Sequence, residues 1–276
     1  MSGTGAGIEL RGVRIVMSDG VGDGAAVVEE LAGSRWAREA RVVKRGTRGM
    51  VCSGRLEALG GAEVVVKTHR LQGVREVVGA ALGVSRVGRQ ARGARVVAGA
   101  GSATARVHMV ARGTDAGGAR VEVLVMERVP GVSVAHHAAR RDLDGPARRV
   151  VAERLGAQID RLARAGVVNR DHKASNIVVR FDEAGLPEPV VIDTVGIRRA
   201  DPRAARVRML YGLVIELVGI GALPSAPDRM RVVRSAMGGT RADRKRVWRA
   251  VSALVRMHGD ARPKDDPVAE PEEGAE

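Results

Sequence analysis

The sequence predicts an α+β protein in which a small antiparallel β-sheet with one inserted helix precedes a larger, mainly helical part. Short β-branched runs, such as EVVVKTH at residues 63–69, alternate with glycine turns in the first half of the chain. The Pro130-Gly131 pair then interrupts the strand pattern. Beyond this pair, apolar residues recur at helical spacing along residues 145–165, which indicates one buried helix face.

The elements of the first half are separated by turns rich in glycine. Strands are predicted at residues 8–17, 41–44, 50–52, 63–69, 104–111 and 120–127. Helices are predicted at residues 25–31 and 84–98, the second being unusually basic. We therefore expect a first domain at residues 1–126, whose first 39 residues form a poorly defined extension.

The second half is expected to form a catalytic domain at residues 127–259. Helices are predicted at residues 145–165, 204–218, 228–237 and 242–257, and two short strands at residues 177–181 and 190–192. Residues 260–276 carry seven acidic and two basic side chains and three prolines. This composition predicts a disordered acidic tail and leaves a formal charge of +19 on the rest of the chain.

The formal net charge of +14 comes from 46 Lys and Arg against 32 Asp and Glu. Only five of the cations are lysines, and aromatic residues make up 1% of the chain. We interpret most of the arginine as compositional bias and do not expect nucleic acid as a partner, because single-strand binding needs aromatic stacking surfaces. The absence of a long apolar run and of a visible secretion signal, with a lone Cys52, predicts a cytoplasmic protein.

The most informative stretch is NRDHKASN at residues 169–176, which follows a long amphipathic helix and precedes a short strand. The next strand ends in IDTVG at residues 192–196, and Lys67 lies within the valine-rich strand upstream. An Arg-Asp pair or a DxxG segment alone has little meaning in so arginine-rich a chain. The ordered set is specific, and two of the five lysines fall within it.

This ordered set resembles the protein-kinase-like superfamily, whose fold has two lobes. RDxKxxN resembles the kinase catalytic loop, and DxxG stands where the metal-binding DFG segment is usual. The resemblance implies that Asp171 orients or deprotonates the attacking hydroxyl and that Lys173 neutralises charge on the γ-phosphate. It further implies that Asn176 and Asp193 bind Mg²⁺ and that Lys67 holds the α- and β-phosphates of ATP.

The same resemblance places the rest of the nucleotide site in two further segments. The short glycine turn between the strands predicted at residues 41–44 and 50–52 supplies Gly46 and Gly49, which would cover the phosphates. The connection between the lobes supplies Met126, beside adenine, and the backbone of Glu127 and Val129, which would hydrogen-bond the adenine edge. A strand end followed by a turn would also account for this second segment.

The chain is most similar to the lipopolysaccharide core kinase family, the Kdo/heptose kinases. The resemblance covers residues 40–219 and rests on KRG at 44–46, VVVK at 64–67, LVMERVPG at 124–131, RDHKASNIVV at 170–179 and DTVGIRR at 193–199. It implies an ATP-dependent kinase acting on a hydroxyl of a sugar or glycolipid acceptor. It also implies a site of action at the inner face of the cytoplasmic membrane. The charge of +19 on residues 1–259 favours peripheral contact with an anionic membrane surface.

Two departures keep alternatives open. Kinases usually place a glutamate on the inserted helix to pair with the strand lysine, whereas this chain has Gln90 there, with Glu76 as a second candidate. A nucleotide-binding pseudokinase is therefore one alternative. An atypical Ser/Thr protein kinase or a small-molecule kinase of the same fold is another, although only residues 197–203 separate Gly196 from the next helix and no APE triplet follows.

Other candidate residues receive simpler interpretations. His136 and His137 are adjacent, so their side chains are expected to diverge rather than chelate a metal. The four arginines of the basic helix are expected to form a solvated face. The arginines that follow the DxxG segment are candidates for binding anionic groups of the acceptor; they are Arg198, Arg199, Arg203, Arg206 and Arg208.

Overall fold

The computed structural model describes residues 8, 10–18 and 23–258, and these form two compact units. The first unit contains the described residues up to Ala94 together with Ala105–Arg128. The second contains Arg95–Thr104 and the described residues from Val129 onward. The predicted acidic tail at residues 260–276 lies outside the described residues, as do parts of the predicted N-terminal extension.

The described part of the first unit combines a sheet with four helices. Its strands are β1 (Arg11–Ser18), β2 (Arg41–Gly46), β3 (Gly49–Leu56), β4 (Ala62–Arg70), β5 (Val107–Thr114) and β6 (Arg120–Glu127). Its helices are α1 (Gly24–Ala32), α2 (Ser34–Glu39), α3 (Gly73–Ala81) and α4 (Arg86–Gly99), and a 3-10 turn spans Glu57–Leu59. From Arg95 onward, α4 belongs to the second unit.

The sheet is antiparallel, with the strand order β1-β5-β6-β4-β3-β2. Within the central strand β4, Val64 and Val66 are fully buried in the core of the unit. Because successive side chains of a strand point to opposite faces, Lys67 lies on the other face. Lys67 is level with Val51 of β3 and Leu124 of β6.

The core of the first unit also takes in the two N-terminal helices. Leu31 of α1 and Trp36 of α2 are buried against the sheet residues. A Cβ atom at Gly54 would lie 2.7 Å from the Trp36 ring, so glycine is required for this contact. Asp23 caps α1 by accepting hydrogen bonds from the backbone N–H groups of Ala25 and Ala26. The helix predicted at residues 25–31 is thus present.

The expectation of one helix inserted in the sheet was wrong. Two helices, α3 and α4, connect β4 to β5. Gly73, the first residue of α3, and Gly83, just beyond its end, both have positive φ. The sequence pattern does not reveal α3 because the helix has only nine residues, too few for apolar periodicity to indicate a helix. Strand β5 also begins later than predicted, since Thr104 pairs with Val191 in an isolated bridge of the second unit.

The described part of the second unit is mainly helical. Its helices are α5 (Val134–Arg140), α6 (Gly145–Arg164), α7 (Pro202–Gly219), α8 (Ala226–Met237) and α9 (Arg241–His258). Its short strands form the sheets β10-β9-β7 and β11-β8, with β7 (Val132–Ser133), β8 (Val167–Asn169), β9 (Ile177–Phe181), β10 (Pro187–Val191) and β11 (Ile197–Arg199). A 3-10 turn spans Ala174–Asn176.

Three helices of this unit begin at a polar cap followed by proline. Asp144 caps α6, Asp201 caps α7 and Ser225 caps α8, each by accepting hydrogen bonds from backbone N–H groups of the first turn. Proline occupies one of the first two positions of each helix, where its missing N–H has no intrahelical partner to lose. These local signals fix where the helices begin.

The core of the second unit lies among α6, α7, α8 and the short strands. Leu155, Ile159 and Leu162 form the buried stripe of α6, as the helical spacing predicts. At Gly156 a Cβ atom would lie 2.4 Å from the carbonyl oxygen of Val232, so α6 and α8 approach each other through this glycine. In the described residues, no helix is long and apolar enough to cross a membrane.

Candidate functional site

The RDxKxxN segment forms the loop between β8 and β9 in the second unit, as its position in the sequence suggests. Asp171 follows β8, and the loop closes through the 3-10 turn Ala174–Asn176. The Lys173 N–H donates to the Asp171 carbonyl at 2.8 Å, and the Asn176 N–H donates to the Lys173 carbonyl at 3.1 Å. The backbone therefore turns tightly from the predicted base to the predicted metal ligand.

The side-chain amide of Asn169 joins this loop to the DxxG segment. Its Oδ1 accepts from the Asp171 N–H at 3.0 Å, and its Nδ2 donates to the Asp193 carbonyl at 3.1 Å. Asn169 is 1% exposed, so both bonds are shielded from water. A single buried residue thus holds together the backbones of two predicted site residues.

Gly196 of the DxxG segment lies directly against Asp171. A Cβ atom at this position would lie 2.6 Å from Asp171 Oδ2 and 2.8 Å from the Asp171 backbone nitrogen. The Gly196 carbonyl accepts from the Arg170 N–H at 3.1 Å. The glycine of DxxG is therefore required because a larger residue would displace the Asp171 carboxylate.

Asn176 and Asp193 are each oriented by a hydrogen bond. Asn176 Nδ2 donates to the Asp171 carbonyl at 3.0 Å, and Asp193 Oδ1 accepts from the Val195 N–H at 3.0 Å. The Ile192 N–H donates to the Asn176 carbonyl at 3.0 Å, which holds the two segments side by side. Amide and carboxylate oxygens are ligands that Mg²⁺ accepts together with phosphate and water oxygens, so this donor set fits a magnesium ion.

A carboxylate that the sequence analysis missed supports the loop. Glu216 of α7 accepts two hydrogen bonds from Ser175, one from its N–H and one from its hydroxyl, each at 2.7 Å. Glu216 is 7% exposed. An acidic residue in an otherwise apolar helix segment, YGLVIELVG, was the available sequence signal, because a buried carboxylate requires a partner.

The backbone of His172 is part of the loop, but its side chain is fully buried. Burial lowers the pKa of the His172 imidazole from 6.5 to about 4. Within the described residues, neither ring nitrogen has a hydrogen-bond partner. A Cβ atom at Gly212 of α7 would lie 2.9 Å from the His172 carbonyl oxygen, so α7 approaches the loop closely there.

The predicted phosphate lysine lies in the first unit beside Gln90. Lys67 Nζ is 3.4 Å from Gln90 Oε1, and Gln90 Nε2 is 3.7 Å from Met126 Sδ. Glu76, the second candidate partner, instead pairs with Arg48 at 3.2 Å and accepts from the Gln72 N–H. Of the two candidate partners, Gln90 is therefore the one that lies beside Lys67.

The predicted glycine turn connects β2 to β3. Gly46 and Gly49 are paired across this hairpin, with Thr47 and Arg48 at its tip. A Cβ atom at Gly49 would lie 1.9 Å from the Thr68 carbonyl oxygen, so only glycine fits between β3 and β4. The Arg48 carbonyl accepts from the Arg70 N–H at 2.7 Å, which ties the tip of the hairpin to β4.

The predicted adenine segment begins at the end of β6. Met126 is 4% exposed and Val129 is 8% exposed. The Glu127 N–H donates to the Arg106 carbonyl at 2.8 Å, and the Glu127 carboxylate accepts from the Arg106 N–H at 3.0 Å. The backbone N–H and the side-chain carboxylate of Glu127 thus both bind the backbone of Arg106, which fixes the end of β6.

A model of the lipopolysaccharide kinase (Kdo/WaaP) family matches residues 33–218, about two thirds of the sequence. The chain belongs to this family. The predicted family is thereby confirmed, and with it the prediction that the protein is a kinase. A comparison with curated proteins found no match.

The fold of this lipopolysaccharide kinase family member is similar to that of a solved structure. The structure of WaaP in complex with acyl carrier protein matches with a TM-score of 0.55 at 19% identity, over 80% of this chain and 86% of that one. The predicted α+β fold of protein-kinase type is confirmed. The similarity at this identity concerns the fold alone.

The arginines after the DxxG segment of this kinase have different environments. Arg206 donates to Asp160 at 2.6 Å and to the Ala236 carbonyl at 2.9 Å, so it is part of the framework. Arg208 lies over the Tyr211 ring at 5.4 Å. Arg198 and Arg199, on β11, are exposed. The prediction of a five-arginine anion site therefore needs correction, since at least Arg206 has a structural partner.

The ring planes of the two adjacent histidines of this kinase are nearly perpendicular. The rings of His136 and His137 meet edge to face at 6.5 Å, and His137 Nδ1 is 2.6 Å from Asp142 Oδ1. Among the described residues, no group of three or more His, Cys, Asp or Glu side chains is arranged to hold a metal ion. A magnesium site built on Asn176 and Asp193 needs only two protein ligands, because substrate and water supply the others.

Proposed function

We propose that this kinase transfers the γ-phosphate of ATP to a hydroxyl group of a sugar or glycolipid acceptor in the lipopolysaccharide core. One observation carries the proposal beyond the family. The side chain of Asn169 joins the backbones of Asp171 and Asp193, and Gly196 leaves room for the Asp171 carboxylate. A rigid pair of carboxylates is what phosphoryl transfer requires, because catalysis rests on positioned charge.

The second unit supplies the groups closest to the transferred phosphate. Asp171 orients the acceptor hydroxyl and takes its proton, and Lys173 neutralises charge on the γ-phosphate. Asn176 and Asp193 would hold a magnesium ion through their side-chain oxygens, and hydrogen bonds with neighbouring backbone groups already orient both side chains. A bound Mg²⁺ would spread the negative charge of the ATP phosphates.

The first unit supplies the nucleotide contacts. Lys67, held beside Gln90, binds the α- and β-phosphates, and the Gly46–Gly49 hairpin covers them with backbone groups. Met126 lies beside adenine. Because the Glu127 N–H donates to Arg106, we assign the adenine contact of Glu127 to its carbonyl and that of Val129 to its N–H.

The acceptor is a small molecule or glycolipid rather than a protein. After Gly196 the chain forms only the short strand β11, Ile197–Arg199, before Pro202 begins α7. Strand β11 is paired with β8, which leaves no extended segment that would serve as a platform for a peptide. Arg198 and Arg199 are exposed there and suit an acceptor that carries carboxylate or phosphate groups.

The experiment is transfer of labelled phosphate from ATP to purified core glycolipid and, separately, to generic protein substrates. We expect labelling of the glycolipid alone, and Asp171→Asn should reduce it by about a hundredfold or more. Glu183→Gln, which neutralises an exposed turn residue, is the control and should label as the parent does. Labelling of proteins but not glycolipid would support the protein-kinase alternative.

The pseudokinase alternative is favoured by Gln90, because an amide beside Lys67 supplies no charge. It predicts that Mg-ATP raises the melting temperature while neither parent nor Asp171→Asn transfers phosphate. Turnover by the parent that depends on Asp171 would reject it.

We place the reaction on the cytoplasmic side of the membrane, where both ATP and the acceptor are available.

We further propose a carrier of acyl chains as a partner, because the matching WaaP structure contains acyl carrier protein. The second unit has a cavity of about 430 Å³ whose walls are mainly aliphatic side chains. Ala152 and Leu155 of α6, Leu213 of α7 and Val232 of α8 are among them. A linear apolar chain presented by a carrier protein suits such a cavity, which also has the exposed Arg141 among its lining residues.

Calorimetric titration of the kinase with acylated and unacylated carrier protein tests this partner. We expect tighter binding of the acylated form, and Ala152→Leu, which fills the cavity, should remove that preference. Ala165→Leu at the exposed end of α6 is the control and should keep it. Equal affinity for the two carrier forms would contradict the proposal.

A further inference from the structure

The first unit exposes an aliphatic face on α3. Val74 is 79% exposed, Val78 is 49% exposed and Leu82, at the end of the helix, is 70% exposed. Residues four apart lie on the same side of a helix, so these three side chains form one continuous stripe. Val84, 47% exposed, extends it towards α4. Exposed aliphatic residues that are clustered in this way mark an interaction surface, whereas isolated ones do not.

The stripe borders an apolar groove. A cavity of about 490 Å³ lies between α3 and the edge strand β1. Val77 and Ala81 line it from the helix, and Ile15 and Val16 line it from the strand. Ile15 and Val16 are also exposed. The aliphatic surface thus continues from α3 into a groove that an acyl chain or an apolar side chain would fill.

Arginines accompany this aliphatic surface. Arg14 and Arg120 line the groove, and Arg75 lies next to the stripe on α3. All three are exposed, and in the described part of the chain none of them forms an ion pair. Arg112, a fourth lining residue, is paired with the buried Glu122 at 3.0 Å. The described lining residues include no acidic side chain.

We propose that this surface, the α3 face, binds the anionic phospholipid surface of a membrane. We define it by Val74, Val78, Leu82 and Val84 together with Arg14, Arg75 and Arg120. The aliphatic side chains enter the boundary between headgroups and acyl chains, and the arginines bind lipid phosphates. Nucleic acid fits this surface poorly because no aromatic residue is present for base stacking.

This inference deepens the proposed function, because a glycolipid acceptor is itself embedded in a membrane. It assigns to the first unit the contact that brings the enzyme to its acceptor. Many of the remaining basic residues then need no specific ligand, since the net charge of +14 adds general attraction to an anionic surface. Binding to vesicles requires no phosphate transfer, so its test is independent of whether the proposed reaction is correct.

The test is co-sedimentation of the full chain with vesicles of phosphatidylcholine containing about one third phosphatidylglycerol, compared with pure phosphatidylcholine. We expect binding to the anionic vesicles, and Val74→Ser/Val78→Ser/Leu82→Ser should weaken it at least about tenfold. Val43→Ser/Val218→Ser/Met257→Ser changes three other exposed apolar residues and should bind as the parent does. Because all six residues are exposed, the urea unfolding midpoints should stay equal.

A second set of variants tests the charge. Arg14→Ala/Arg75→Ala/Arg120→Ala should weaken binding by about fivefold for each arginine, since one cation at an anionic surface contributes about 1 kcal/mol. Arg38→Ala/Arg55→Ala/Arg92→Ala removes the same charge from exposed positions elsewhere in the first unit and should have a much smaller effect.

Three outcomes would overturn the proposal. One is equal binding by the α3-face variants and their controls, and a second is equal binding of the parent to neutral and anionic vesicles. The third is a parent that is dimeric in light scattering and becomes monomeric in the Val74→Ser/Val78→Ser/Leu82→Ser variant, with unchanged vesicle binding. That result would assign the α3 face to contact between two copies of the chain.

Discussion

Glu216 accepts two hydrogen bonds of 2.7 Å from Ser175, one from the backbone N–H and one from the hydroxyl. Ser175 lies between the predicted base and the predicted metal ligand of the loop, and Glu216 lies on α7, about forty residues later in the sequence. The catalytic loop is therefore held by a buried carboxylate of a helix that carries none of the predicted catalytic residues. This relationship makes α7 part of the framework of the site.

Glu216→Ala should destabilise the protein and reduce turnover together. The substitution leaves the Ser175 N–H and hydroxyl without their acceptor at a partly buried position, which costs on the order of 3 kcal/mol. Urea unfolding measures the stability loss, and steady-state kinetics measures kcat. Glu216→Gln retains one acceptor oxygen and should lose less of both. Unchanged stability of Glu216→Ala would contradict the geometry.

Gly196→Ala should reduce turnover. Its Cβ atom would lie 2.6 Å from Asp171 Oδ2, so the carboxylate or the loop must shift. A displacement of this size at a reacting group costs about a hundredfold in kcat. Gly145→Ala is the matched control, because no atom lies within 4 Å of the added Cβ there. Equal kcat for the two variants would argue against Asp171 as the base.

Gln90→Glu should strengthen nucleotide binding. It places a carboxylate where an amide oxygen now lies 3.4 Å from Lys67 Nζ, and a charge-assisted bond is about twice as strong as a neutral one. We expect the Kd for Mg-ATP to fall by about threefold or more. Gln72→Glu, at the exposed N-cap of α3, is the control for charge and should leave the Kd unchanged. A weaker affinity of Gln90→Glu would show that Lys67 does not approach the nucleotide.

His172 should make stability depend on pH. Burial lowers the pKa of its imidazole to about 4, so the unfolded chain takes up the proton first as the pH falls below 6.5. The stability contributed by the neutral ring is fully present above pH 6.5 and is lost as the pH falls towards 4, to a total of up to about 3 kcal/mol.

His172→Leu should remove this part of the pH dependence in urea unfolding measured between pH 4 and 7. It should also raise stability near neutral pH by about 1 kcal/mol, because within the described residues the ring nitrogens of His172 have no partners. His136→Leu, at a half-buried histidine, is the control and should keep the slope. A slope that survives in His172→Leu would assign it to other groups.

The sequence determined which residues are candidates and the order in which they occur. Regular signals act locally: a run of β-branched residues made β4 and its Lys67 predictable, and apolar residues at helical spacing made α6 predictable. The predicted starts of α7 and α8, at residues 204 and 228, lie two residues beyond the observed starts at Pro202 and Ala226. The RDxKxxN and DxxG spacing indicated the protein-kinase-like superfamily, since phosphoryl transfer restricts residue types at a few positions.

Only the tertiary structure decided which residues support those candidates. The partnership of Glu216 with Ser175, and the choice of Gln90 rather than Glu76 beside Lys67, join residues distant in the sequence. The exposure of α3 was likewise not predictable, because a valine stripe has the same pattern whether it faces the core or solvent. Hydrogen bonds and burial depend on which helices and strands are in contact in the folded protein. Local periodicity in the sequence does not determine those contacts.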